Sequence, residues 1–335
     1  MEKPIFVDVP GYHHTIETNR MADEKDLKVC VGFHFRAEPR HYNWVEQIHA
    51  GAIGDIQYTR VFFNDQGIWC RNRLPGEGET HFQVRNWFHF HWLCGDNIVE
   101  QHCHNIDIGN WVHGKGDPMA HPVSANAMGG RAFRAGPEEL MRAAPPFADR
   151  QAWDEWYQQH RQAFFRHGQA WDNFFVEFTY ADGSRMFSQS RHIRNTWGHI
   201  GGYAYGTTGH GTVLGLGGNA SHLYGADGTE IWSNTATVPK GPHQWEHDIH
   251  VKAIREGIPK NDGHYAATSS MVAVLGREAA YSGRVVNWNE LVNRGRSYFP
   301  DGEITSFEQT APVQPDADGF YESSVPVPGV YSPFA

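Results

Sequence analysis

The stretch "NFFVEFTYADGSRMFSQSR" (Asn173–Arg191) decides what kind of sheet this chain builds. On either side of Asp182-Gly183 the side chains alternate, the two-residue period of a half-buried strand. Asp-Gly between two such runs is a strong hairpin signal, because tight turns need residues that tolerate positive φ. Neighbouring strands joined this way are antiparallel. Working outward, "IQYTRVFF" (56–63) alternates similarly, and shorter β-rich runs fit Tyr203–Thr208, Thr212–Leu216 and Glu230–Ser233. "LKVCVGF" (27–33) reads as a short apolar strand.

Helical patterns flank these strands. Residues 10–26 carry Ile16, Met21 and Ala22 as anchors, and Pro39 opens a segment with Trp44, Val45 and Ile48 on one face. "CGDNIVEQHCHNIDIGNWV" (94–112) reads as one partly buried helix with Asp96 as its N-cap. "HQWEHDIHVKAIREG" (243–257) and "HYAATSSMVAVLGREAAYSG" (264–283) are helical too. A Gly- and Arg-rich loop is expected over 64–84, and a Pro-rich extended tail that wraps a neighbour or stays loose over 301–335. The expected architecture is α+β, a large open, mostly antiparallel sheet with helices on one face.

A formal charge of -10 and a pI near 6.1 argue against nucleic acid or an anionic membrane as partner. There is no run of 18 apolar residues to span a bilayer. Residues 1–30 show no apolar signal core, which leads to the expectation of a cytoplasmic protein, or a periplasmic one if an export segment precedes them. The cysteines Cys30, Cys70, Cys94 and Cys103 have no CxxC spacing and read as small hydrophobes. Abundant Trp, Phe, Gly and His suit a carbohydrate cleft and equally an aromatic-rich core.

Glu100 and His104 stand four apart, on one face of the expected helix. A carboxylate beside an imidazole raises its basicity and orients it as a general base for an alcohol. The alternative is a surface ion pair worth ~0.3–0.5 kcal/mol. The alternating pairs His89/His91 and His102/His104 suit a metal only on a strand, and the helix pattern at 102–104 argues for no metal. "GLGGNA" (215–220) matches G-x-G-x-x-A but has no helix after it, so it is not a dinucleotide loop. Arg85, Trp87 and Arg191 are candidates to hydrogen-bond and stack on a polyol, or to line a subunit interface.

Four motifs in order carry a family resemblance: Glu2-Lys3-Pro4, "CVGFHFRAEPRHYNWVEQIHAGAIGDI", "GDNIVEQHCHNID" and "DGHYAATSSMVAVLGREAAYSGRVV". Over most of residues 1–290 the chain resembles the Gfo/Idh/MocA oxidoreductases, relatives of glucose–fructose oxidoreductase and inositol dehydrogenase. The resemblance implies a sugar, glycoside or cyclic polyol as substrate and NAD or NADP as cofactor, with Glu2, Lys3 and Pro4 against the cofactor. Lys3 would sit at the nicotinamide and the reacting hydroxyl, and His104 would take the hydroxyl proton. Glu100 replaces the family's more usual aspartate, and Asp96 its second turn glycine. The wording around 85–105 looks like a branch whose members often carry a twin-arginine leader.

In that family E-K-P follows an N-terminal Rossmann half bearing the phosphate-binding glycines. Residues 1–33 would then be the C-terminal remnant of such a domain, 34–300 the substrate and oligomerisation domain, and 301–335 the tail. A late start site, a natural truncation or a separate front polypeptide would each explain this. Weak NAD(P) binding is then expected, with residues 27–33 hidden against the tail or a second subunit. A homodimer or homotetramer through the sheet, around 170–235, is expected as well. Besides a dehydrogenase, an oxidation–elimination glycosidase and a non-catalytic sugar-binding scaffold remain open.

Overall fold

The structure, a computed structural model, describes residues 1–131, 146–152, 154–156, 159, 168–215, 220–299 and 302–334. Among these, nine strands form one sheet: β1 (Ile56–Asp65), β2 (Ser124–Gly130), β3 (Asn173–Thr179), β4 (Arg185–His192), β5 (His199–Gly206), β6 (Gly209–Leu214), β7 (Ser221–Gly225), β8 (Glu230–Asn234) and β9 (Val286–Asn287). Their spatial order is β8-β7-β6-β5-β1-β4-β3-β2-β9. Every pairing is antiparallel except the central β1–β4 pair, which is parallel. The hairpin forms as expected: β3 and β4 pair in register from Asn173↔Arg191 to Thr179↔Arg185.

The principal helices are α1 (Val9–Glu24), α2 (Pro39–His49), α3 (Cys103–Gly114), α4 (Pro242–Glu256) and α5 (Gly263–Ser282). Asp8 caps α1, its carboxylate accepting from Gly11 N at 3.0 Å. α5 is buried along nearly its whole length and packs on α1, α3, β2 and β3. α3 lies directly on the sheet because residue 109 is glycine. A Cβ there would sit 2.3 Å from Met186 Sδ and 3.1 Å from Val61 Cγ1. The helix-covered face therefore carries Val61, Met186, Ser188 and Ser190, and the period of two sends Arg60, Phe187 and Gln189 to the opposite face.

Four sequence expectations change. Residues 27–33 form no strand. Val29 makes a single parallel bridge to Asn261, and Val31 and Phe33 are buried in the chain's own main core, Phe33 against Tyr265. The 64–84 loop contains the start of a helix, Glu79–Arg85. The tail packs on its own chain. Tyr321 is buried with Phe82, Phe90 and Trp92, Gln83 Nε2 donates to Val313 O at 2.6 Å, and Tyr331 OH donates to Glu278 Oε2 at 2.7 Å.

Finally, the 94–112 helix is broken into turns over His91–Cys94 and Asn97–Glu100, followed by α3. A continuous helix would spend the Glu100 carbonyl on the His104 N–H. Here Lys3 Nζ takes that carbonyl, and His104 N reaches only Gln101 O at 3.4 Å.

One buried ion pair ties these pieces together. Arg277, 0% exposed, donates to Glu278 Oε1 at 2.6 Å, to Val7 O at 2.8 Å and to Gly95 O at 3.1 Å. Glu278 also accepts from Tyr298 and Tyr331. Arg277→Met strands a buried carboxylate and should lower unfolding free energy by about 3–5 kcal/mol. Urea denaturation followed by circular dichroism checks this, and a loss below about 1 kcal/mol would mean that the pair is not needed.

Candidate active site

The first residues are drawn onto the body of the molecule by polar contacts. The Met1 ammonium donates to Cys30 O at 2.6 Å, and Lys3 Nζ pairs with Glu100 Oε1 at 2.6 Å. The Lys3 and Glu100 side chains are only 15% and 9% exposed, so solvent screens the pair poorly. The Lys3-Pro4 peptide is cis. Glu100 is thus the partner of Lys3, and the expected Glu100–His104 couple is replaced by a lysine–glutamate pair beside the imidazole.

His104 lies at the start of α3, buried, with its Nδ1 lacking a protein partner. Its ring meets His34 at 4.6 Å, Phe35 at 5.5 Å and Phe33 at 5.8 Å between centroids. His243, from the first turn of α4, lies 4.3 Å beyond on His34. Burial, then the charge of Lys3, then His34 and His243 hold the His104 pKa well below its usual value. Burial likewise pushes His34 down to about 3. Both imidazoles are neutral at physiological pH, and an ammonium stands beside them.

One turn on, Asp107 receives Arg36 in a two-pronged contact, Nε to Oδ2 and Nη2 to Oδ1 both at 2.8 Å, and the Ser269 hydroxyl at 2.6 Å. The Arg36 guanidinium lies 3.8 Å over Tyr265 and 4.7 Å over Trp111. Arg36, Tyr265 and Trp111 line a cavity of about 510 Å³, together with Trp245 and Glu246 of α4. Phe33 stands between this cavity and the histidine cluster, its ring 6.2 Å from Tyr265 and 5.8 Å from His104. A second cavity of about 510 Å³ includes Glu2, Asn19, Cys30, Glu246 and His250 in its lining.

Lys3, Glu100 and His104 line neither cavity, and neither do Arg85, Trp87 and Arg191. Arg85 pairs with Glu77 at 2.7 Å, and Trp87 meets Trp69 edge-on at 5.9 Å. Arg191 donates to Trp197 O at 2.7 Å from the sheet face that carries no helices. Lys3 and His104 are therefore not joined by these three. Glu2 rests against Gly32, where an added Cβ would lie 2.5 Å from its Oε2. Sequence reasoning missed His34, His243 and Arg36. Asp107 had a visible signal, three residues past His104 and hence on the same helix face.

The paired histidines diverge. His102 Nε2 contacts Ser188 Oγ at 2.7 Å, His89 Nε2 contacts Trp69 O at 2.8 Å, and His91 Nε2 contacts Tyr281 OH at 2.9 Å. Among the described residues no group of three or more metal-binding side chains converges. Residues 216–219 of the "GLGGNA" stretch lie outside the described residues. No helix of the described residues is long and apolar enough to cross a membrane.

No protein-family model and no curated protein matches the chain. Solved structures do. An aldose–aldose oxidoreductase from Caulobacter crescentus, complexed with glycerol, aligns at TM-score 0.58 and 16% identity over 85% of this chain and 70% of that one. The chain shares the fold of this oxidoreductase structure. A putative myo-inositol dehydrogenase from Sinorhizobium meliloti aligns at TM-score 0.53 and 14% identity, over 85% of this chain and 72% of that one. The UDP-N-acetylglucosamine 3-dehydrogenase GnnA from Acidithiobacillus ferrooxidans aligns at 0.55 and 16%, over 83% and 69%. At such identities the likeness establishes the shared sheet-and-helix architecture.

Two outcomes follow from the neutral histidines. His34 and His102 are held down to about 3 and His113 to about 4 by burial. The unfolded chain takes up their protons first, so stability should fall as pH drops from about 6.5 towards 4. Glu246, pushed up to about 7, opposes this between 4.5 and 7 but is one group against three. Chemical denaturation across that pH range tests the sign. Secondly, Lys3→Met removes a neighbouring cation and should raise the His104 pKa, read by NMR titration of its ring nitrogens. An unmoved or lowered value would show that Lys3 does not act on His104.

Proposed function

We propose that the protein is an oxidoreductase that removes hydride from a secondary alcohol of a sugar or cyclic polyol, with NAD or NADP as acceptor. The observation that carries this reading is the neutral, buried imidazole of His104 beside the anchored ammonium of Lys3. Alcohol oxidation needs a proton acceptor and a cationic donor at one oxygen. That donor set fits a nicotinamide cofactor, and Glu2, Lys3 and Pro4 would lie against it, with residues 1–33 forming the edge of its domain. The cofactor when bound supplies the acceptor for the hydride.

This chain's residues do the rest. His104 Nε2, the ring nitrogen not sealed inside the fold, accepts the hydroxyl proton while the C–H electron pair leaves and the C=O bond forms. Lys3 donates to the same oxygen as its charge changes. Glu100 holds the lysine in place and compensates its charge. An imidazolium formed here is destabilised by burial and by Lys3, so it passes its proton on readily.

Assembly through the open sheet face is part of this reading. Aromatic rings run across it from strand to strand: Phe175 and Phe187 lie 6.5 Å apart, Phe187 and Tyr58 6.0 Å, Tyr58 and Tyr205 4.4 Å, and His210 and Tyr224 5.1 Å. Such a stripe suits a two-fold partner. Phe187→Glu should shift the mass measured by light scattering from dimer or tetramer towards monomer, and a wild-type monomer would end this part.

For the chemistry, His104→Gln and Lys3→Met should each lower NAD(P)-dependent oxidation of the best polyol by ~10²-fold or more. Wild-type rates in either variant would remove that residue from the mechanism. Nucleotide binding without any oxidation over a broad sugar panel would favour the scaffold.

A further inference from the structure

The cavity beyond Phe33 is built unlike the histidine cluster it adjoins. Its walls present aromatic rings from three separate elements: Tyr42 on α2, Trp111 on α3 and Trp245 on α4, with Phe33 and Tyr265 at the inner end. Trp245 is 37% exposed and Tyr42 48% exposed, so both offer ring faces that the fold itself does not consume.

The charges on its walls cancel. Arg36 is committed to Asp107 through both prongs of its guanidinium. Lys260 Nζ is committed to both oxygens of Asp262, at 2.7 Å and 2.6 Å. What remains is Glu246, only 7% exposed, whose Oε2 has no protein partner. Burial, with Glu2 and Asp262 nearby, pushes its carboxyl up to about 7, so it is partly protonated and can donate or accept a hydrogen bond. An anion placed here would meet two carboxylates and no uncommitted cation. An uncharged ring would meet apolar faces with a polar group at one side, the usual composition of a sugar-ring or aryl site.

We propose that this cavity is a second-ring subsite that takes an uncharged ring with an apolar face, a glycosyl or aryl group joined to the sugar that reacts beside His104. The subsite rests on the hydride-transfer reading for the position of the reacting ring. It makes the substrate a neutral glycoside and excludes sugar phosphates and nucleotide sugars, whose charge the cavity does not compensate.

The test is a tryptophan-fluorescence titration of the full chain with matched methyl glycosides, phenyl glycosides, disaccharides and 6-phosphates of a hexose panel. For the hexose that binds, the phenyl glycoside or the disaccharide should bind about tenfold or more tightly than the methyl glycoside. Tighter phenyl binding assigns the subsite to an aryl group, and tighter disaccharide binding to a second sugar. Trp245→Ala and Tyr42→Ala, both at exposed positions, should abolish the preference and leave methyl glycoside affinity unchanged. Equal affinities, tightest binding of the phosphate, a preference that survives both substitutions, or no binding at all would overturn the subsite. Oxidation measured on the same panel separates the two proposals. Oxidation without a ring preference removes only the subsite, and a ring preference without oxidation removes only the hydride-transfer reading.

Discussion

The contact of Lys3 with Glu100 is the constraint on which the site depends. One ammonium takes both the carboxylate and the main-chain carbonyl of the same residue. Losing that carbonyl ends the turn at Glu100, and α3 begins afresh at Cys103 with His104 in its first turn. A lysine 97 residues away in sequence thus sets the local backbone of the imidazole it stands beside. Because both side chains are largely withdrawn from water, the charges are felt at His104 with little screening.

Behind this contact lies a second polar layer that fixes the loop entering the site. Asp96 has φ 77, a conformation that favours glycine, and side-chain contacts hold it there. Its carboxylate accepts from Asn97 N at 2.6 Å, from Trp171 N at 2.8 Å and from the Tyr281 hydroxyl. Asn97 in turn accepts from Ser190 Oγ at 2.9 Å and donates to Trp171 O at 2.7 Å. Buried polar groups of this kind are costly unless fully partnered, and here the partners come from α5, from β4 and from the segment just before β3. Position 96 thus carries an acid whose surroundings offset the backbone cost.

The sheet separates two kinds of surface. On the covered face, glycine at 109 and small hydroxyls at 188 and 190 let helices and turns approach closely and position the site. On the other face the same strands carry rings in contact across neighbouring strands. Arg191 belongs to that second face. Ser190 and His192, one position either side of it, face the helices, so residue type alone did not reveal which face Arg191 takes.

The sequence by itself determined the α+β class, the Asp182-Gly183 hairpin, the strand at 56–63 and the helices around α1, α2, α4 and α5. Each rests on a local period or a turn residue, information contained within some twenty consecutive positions. Glu100 and His104 were legible from their spacing of four, whereas Lys3 was legible only through motif resemblance, since no local rule joins it to positions so distant in sequence. Tertiary structure alone decided the break after Glu100, the stacking of His34 and His243 on His104, the charge-balanced cavity beyond Phe33 and the docking of the tail on Glu278. All four are contacts between segments far apart in the chain, where burial and charge compensation override what each segment would do alone.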